Sequence, residues 1–164
     1  ESKHYACLLQ WDNIYYQAPS QDVVSKKTTV RVGLVQWQMR SYRTIDDLFE
    51  QVEFFVDAVS GYQSDFVLFP EYFNAPLMAR FNDDSEAEAI RGLAQYTTEI
   101  RDRFVKLAIS YNINIITGSM PQVKEDGRLY NVGVLCRRDG SYESYEKIHV
   151  TPDEIKSWGL CGGS

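Results

Sequence analysis

Long hydrophobic runs are missing from this chain. Its most apolar stretches, residues 66–70 and 113–116, have the length of strands, far short of the roughly 20 residues that a membrane-spanning helix needs. Histidine and cysteine are scarce, at 2 and 3 residues. His4 and His149 cannot make an HExxH pair or a three-histidine cage, and Cys7, Cys136 and Cys161 contain no CxxC pair. An odd set of widely spaced cysteines argues against a disulfide scaffold and a thiolate zinc site, so reduced thiols, no metal and no organic cofactor are expected. Positive charge is in deficit, with 17 Lys and Arg against 23 Asp and Glu for a net charge of −6, and the basic residues form no stripe. Such a surface repels phosphate backbones, which excludes nucleic acid as an expected partner. No basic stretch leads into an apolar region at the N-terminus, so neither a secretory signal nor a membrane partner is expected and the default location is cytoplasmic.

What is present is a chain of 164 residues, 44% hydrophobic, enough for one domain with a buried core. Residues 17–29 are polar and turn-forming and separate an aromatic-rich opening, YACLLQWDNIYY, from the rest. Residues 1–28 are therefore read as an N-terminal arm, or the tail of a preceding domain, with a linker; residues 29–164 form the main domain. The first residue, Glu1, and the loop-like Gly162-Gly163-Ser164 ending suggest a fragment of a longer protein.

From Val30 the text becomes regular. Val30, Val32, Leu34 and Val35 around Gly33 suit a strand buried on both faces. Thr44 reads as an N-cap with Asp46 and Asp47 in the first turn, and Leu48, Val52, Phe55, Val56 and Val59 recur at helical spacing until Gly61. A second strand, residues 65–70, ends at Pro70 just before Glu71-Tyr72-Phe73. Residues 85–111 read as two helices, or one interrupted near residues 96–98. Residues 113–117, 130–137 and 142–148 read as strands, with hairpin turns at Asp126-Gly127 and Asp139-Gly140. The order β-α-β-α-β-β-β predicts an α/β fold with a parallel start and an antiparallel edge.

Glu71 follows the second strand, where ligands sit beyond the carboxyl ends of strands in open α/β sheets. Its neighbours Pro70, Tyr72, Phe73 and Pro76 would partly desolvate it and suit it to general-base work. From composition alone, turn capping or pairing with an arginine is the commoner account of such a glutamate. Lys147 ends a strand in SYEKIHVTPDE and Glu154 follows a proline turn. A lysine between carboxylates stays charged and can stabilise an oxyanion, although taken alone such a lysine is more often a solvated edge-strand charge that discourages aggregation.

Taken in order, VRVGLVQWQ, DFVLFPEYF and YEKIHVTPDE resemble the opening half of the nitrilase superfamily of carbon–nitrogen hydrolases, over residues 30–164. The resemblance implies the N-terminal part of a four-layer αββα sandwich, a mixed sheet with helices packed on one face. It implies a Glu-Lys-Cys triad hydrolysing a small amide or nitrile through a cysteinyl thioester, with Glu71 as base, Lys147 holding the oxyanion and Glu154 orienting the lysine. The family's cysteine follows a later strand, and none of the cysteines here matches it: Cys161 lies in a WGLCGGS loop, Cys136 is read as a core thiol, and Cys7 precedes the resembling region. His149 is assigned a structural hydrogen bond, and Tyr72, Phe73 and Trp158 either line a pocket or pack. The resemblance further implies a homo-oligomer in the full-length protein, an acetyltransferase-like domain upstream, and no turnover by this chain alone. A noncatalytic binding or assembly module built on half of the sandwich is the competing reading.

Overall fold

In a computed structural model, residues 6–10, 29–81 and 84–164 are described. The expected linker falls largely outside them; within the opening segment, Ala6–Gln10 forms strand β1. The elements then run β2 (Arg31–Val35), α1 (Ile45–Gly61), β3 (Phe66–Leu68), a 3-10 turn (Ala75–Phe81), α2 (Glu86–Ala94), α3 (Thr97–Ser110), β4 (Asn114–Val123), β5 (Leu129–Cys136), β6 (Tyr142–Glu146), a π-helical turn (Glu154–Trp158) and β7 (Leu160–Cys161).

The strands form one sheet in the order β1-β2-β3-β4-β5-β6. Strands β2, β3 and β4 are parallel, and β1–β2, β4–β5 and β5–β6 are antiparallel. The parallel start and antiparallel edge read from the sequence are both present. β7 runs parallel to the start of β5, pairing Leu129 with Leu160 and Tyr130 with Cys161. This corrects the expectation of a plain loop around Cys161: a strand of two residues has no periodicity to betray it.

Pairing register explains the layering, because residues opposite one another in a sheet point to the same face. The row Gly33, Val67, Ile115, Cys136 is buried throughout. A Cβ on Gly33 would meet Val59 of α1 at 2.4 Å, so glycine here lets the helix seat against the sheet. The adjacent row, Leu34, Leu68, Ile116 and Leu135, is only half-buried. Helices and sheet thus make two layers, with helices on one face and the other face open, as the α/β sandwich expectation required. Among the described residues no helix is long and apolar enough to cross a membrane.

Helix α1 starts where Thr44 predicted: its side chain accepts from the Asp47 N–H, while Asp47 accepts from the Thr44 N–H, a capping box that satisfies orphan donors at the helix start. The expected interruption separates α2 from α3 at Gln95-Tyr96. Both hairpin turns carry glycine in the left-handed region, Gly127 at φ 73° and Gly140 at φ 88°.

β4 is longer than the predicted five-residue segment because a bulge at Thr117-Gly118 lets it continue. Ile116 pairs with Leu135 but Ser119 with Gly133, so two residues oppose Val134 alone. Val134 donates its N–H to the Thr117 hydroxyl at 3.1 Å in compensation. The extra residue switches the strand's alternation, turning Met120 to the helices, where it is fully buried, and Ser119 to the open face. Gly118 has φ 73°, and a Cβ there would lie 2.0 Å from the Pro70 carbonyl oxygen. Gly118→Ala should therefore destabilise the protein by about 2 kcal/mol or more, measured by denaturant unfolding; an unchanged midpoint would show that the bulge relaxes freely.

Candidate functional site

The site lies on the open face, at the carboxyl end of parallel strand β3. Phe69 donates its N–H to the Ile116 carbonyl at 2.9 Å and Tyr72 to the Ser119 carbonyl at 2.8 Å, which straps Pro70-Glu71 along β4. Phe69 and Phe73, on either side of Glu71, are 2% and 0% exposed. Both rings meet Trp37 and Phe104 edge to face. Tyr72 takes the left-handed conformation, φ 53°, at a cost of about 1–3 kcal/mol for a residue with a Cβ. With its neighbours anchored inward, Glu71 is left pointing out of the core.

Lys147 arrives from the opposite edge. Gly133 pairs with Tyr145, and a Cβ on Gly133 would meet the Tyr145 ring at 2.0 Å, so the ring lies across the glycine on the open face. Its hydroxyl donates to the Gly118 carbonyl at 3.2 Å. Two residues on, Lys147 shares that face, its backbone N–H bonded to the Asn131 carbonyl at 2.9 Å.

The Lys147 ammonium donates to Glu71 Oε1 at 3.2 Å and to Glu154 Oε1 at 2.8 Å. Asn131 Nδ2 also donates to Glu71 Oε1, at 2.6 Å. The other Glu154 oxygen accepts from the Thr151 N–H at 2.8 Å, while the Glu154 N–H donates to Thr151 Oγ1 at 3.3 Å. Thr151-Pro152-Asp153-Glu154 is thus a capping box with proline in the first turn. One oxygen of Glu154 caps its own helical turn and the other holds the lysine.

Burial pushes the Glu154 carboxyl up, but the hydrogen bonds from Lys147 and Thr151 together outweigh it and hold the group below its ordinary range. The Glu154 hydrogen bond raises the Lys147 ammonium above the ordinary lysine range, against a smaller opposing effect of desolvation, with Glu71 adding to the rise. Burial, then the nearby Glu154 and Glu71 charges, push the Tyr72 hydroxyl well above the ordinary tyrosine range. Lys147 therefore stays charged, as the sequence reading required.

Two clefts meet at the Glu71–Lys147 pair. One, of about 380 Å³, is walled by Leu68, Phe69, Gly118, Ser119, Asn131 and Tyr145. The other, of about 460 Å³, lies towards Tyr72, Thr151, Glu154 and Trp158, with the Tyr72 and Trp158 rings edge to face at 5.5 Å.

Residues 31–160 match the carbon–nitrogen hydrolase family. The chain belongs to that family. As a carbon–nitrogen hydrolase-family chain it is 38% identical over 97% of its length to a probable hydrolase of Bacillus subtilis (strain 168), YhcX, and spans 31% of that protein. Its fold is similar to that of a carbon–nitrogen hydrolase from Helicobacter pylori G27, with TM-score 0.66 and 18% identity over 82% of this chain and 45% of that one. A Nesterenkonia amidase of the nitrilase superfamily superposes with TM-score 0.65 at 18% identity, over 82% of this chain and 49% of that one. The chain thus spans about half the length of these solved structures and a third of the Bacillus protein.

The structure gathers Glu71, Lys147 and Glu154, all named from the sequence. It departs from that reading in two respects. The Glu71 side chain is 51% exposed, so its neighbours do not bury it: Phe69 and Phe73 turn into the core, and Tyr72 lies along the second cleft. His149 is exposed and makes no hydrogen bond among the described residues, because the bend after Lys147 carries it off the sheet. Phe73 is core, whereas Tyr72 and Trp158 line the second cleft. Cys136 is fully buried, and burial pushes its thiol up to about 12; Cys161 is half-buried on β7. Sequence reasoning missed Asn131, signalled only by a polar residue inside the apolar strand YNVGVLC, and missed the capping box that the T-x-x-E spacing spells out.

A carboxyl held low in the fold stabilises above its unfolded value, and that contribution disappears as pH falls through the folded value. Glu154→Gln should lower the melting temperature at neutral pH and flatten its decline on acidification below the ordinary carboxylate range. Parallel acid profiles for the two proteins would contradict the assigned linkage.

Proposed function

We propose that the full-length protein hydrolyses a non-peptide carbon–nitrogen bond in a small amide or nitrile through a Glu-Lys-Cys triad and a cysteinyl thioester. The observation that carries this reading is one ammonium, Lys147, shared by Glu71 and Glu154 at 3.2 and 2.8 Å where two clefts meet, in a chain of the carbon–nitrogen hydrolase family. A structural neighbour supports the cysteine in this reading: a mutant of the Nesterenkonia amidase carries the acetamide moiety of fluoroacetamide at its active-site cysteine, a thioether that marks the nucleophilic sulfur.

For an amide, the exposed Glu71 carboxylate takes the thiol proton and the sulfur attacks the carbonyl carbon. The oxygen becomes an oxyanion beside the Lys147 ammonium, whose charge is secured by Glu154. As the carbon–nitrogen bond breaks, Glu71 returns the proton to the departing amine, leaving the thioester. Glu71 then takes a proton from water, hydroxide adds to the thioester carbon, and collapse releases the acid and expels the thiolate, which recovers the proton from Glu71. Every proton passes through one carboxylate, while Lys147 remains protonated.

The nucleophile in this reading is none of the three cysteines here. Cys136 lies under the helices, Cys161 is tied into β7, and Cys7 is on β1, at the edge of the sheet away from β6. This chain alone should show no amide turnover. In the full-length protein, Cys161→Ala should leave the rate unchanged. Glu71→Gln and Lys147→Met should each lower kcat/KM by about 10³-fold or more, followed by ammonia release with circular dichroism as the control for folding. Turnover by the 164-residue chain, or a folded Glu71→Gln enzyme of normal rate, would overturn the proposal.

A further inference from the structure

We infer that Asn131 is a positioning residue for the Glu71 carboxylate and fixes which of its oxygens takes up the proton. This rests on the reading of Glu71 as the base, and three observations carry it. The amide is the nearer anchor: Asn131 Nδ2 lies 2.6 Å from Glu71 Oε1, whereas Lys147 Nζ lies 3.2 Å from the same oxygen and is held more closely by Glu154 at 2.8 Å. Both donors converge on Oε1, and Oε2 receives no hydrogen bond among the described residues. The anchor is also rigid where the anchored group is not: Asn131 is 1% exposed on a central strand, while the Glu71 side chain is 51% exposed.

The orientation of the amide follows from its partner. A carboxylate only accepts, so Nδ2 must face Glu71, and Asn131 Oδ1 is left buried without a hydrogen bond. An unpaired buried acceptor is unfavourable, so this orientation is held at the expense of Oδ1. The side chain sits where Glu71 dictates, beside its cross-strand neighbour Lys147, whose backbone N–H binds the Asn131 carbonyl at 2.9 Å.

The chemistry suits a neutral amide. Asparagine donates to Oε1 whether or not Oε2 carries a proton, and it does not compete for that proton. When Lys147 turns towards a developing oxyanion, Asn131 continues to hold Glu71 in place. Oε2 is then the atom that receives the thiol proton and returns it to the leaving nitrogen.

The test uses the full-length protein and butyramide, with ammonia release followed across pH to give kcat and KM. Asn131→Leu removes the donor at similar volume; Asn131→Asp keeps the shape and places a second carboxylate against Glu71. Both should lower kcat at neutral pH by about tenfold or more, leave KM within about threefold, and move the acid limb of kcat to higher pH by about one unit, further for Asp. An acid limb that stays in place in the folded variants, whatever their rate, reduces Asn131 to a structural role and overturns the inference. If Asn131→Leu fails to fold, the isosteric Asp variant decides alone. Glu71→Gln separates the two levels: normal turnover there, or none in the wild type, removes the reading of Glu71 as the base, whereas loss of turnover with unmoved Asn131 profiles removes this inference alone.

Discussion

The Lys147 ammonium sits between the carboxylates of Glu71 and Glu154, and the architecture at this end of the sheet holds that pairing together. Two carboxylates at such range repel unless a cation lies between them, and a lone ammonium with 28% of its side chain exposed would be mobile without fixed acceptors. The cluster carries a net charge of −1, with its positive charge guaranteed and one carboxylate open to solvent. Glu154, only 8% exposed, is the fixed member, and Glu71 the accessible one.

Backbone devices deliver these groups. The bulge at Thr117-Gly118 reverses the alternation of β4 and allows the Pro70 carbonyl to approach, which brings Glu71 alongside Ser119. Glycine at position 133 lets Tyr145 lie flat, so that β6 leaves the sheet with Lys147 beside Asn131. The TPDE capping box turns the chain back and buries Glu154 against the lysine. None of these devices belongs to the charged cluster itself; each determines where one of its members stands.

Much of this was legible in the sequence, for identifiable reasons. Apolar patterning and turn residues located the helices, the parallel strands and both hairpins, because those signals are local. Glu71 and Lys147 stood out since each terminates a strand in a motif of the family. The bulge was not legible: Thr117-Gly118 reads as the end of a strand, and only the cross-strand partner reveals that it continues. Nor was the exposure of Glu71, since Phe69 and Phe73 flank it in sequence but are drawn into the core by Trp37 and Phe104. Asn131 acts through a contact with a residue distant in sequence, which no local pattern encodes. π-helical turns and two-residue strands are too short for any period to show.

The central claim, that Glu71, Lys147 and Glu154 serve a cysteine outside this chain, is tested most directly by where a reactive amide attaches. The full-length protein is treated with fluoroacetamide, digested, and the modified peptide sequenced by mass spectrometry. The account predicts a single adduct on a cysteine other than Cys7, Cys136 and Cys161. An adduct on Cys161, or on either of the other two, would contradict it.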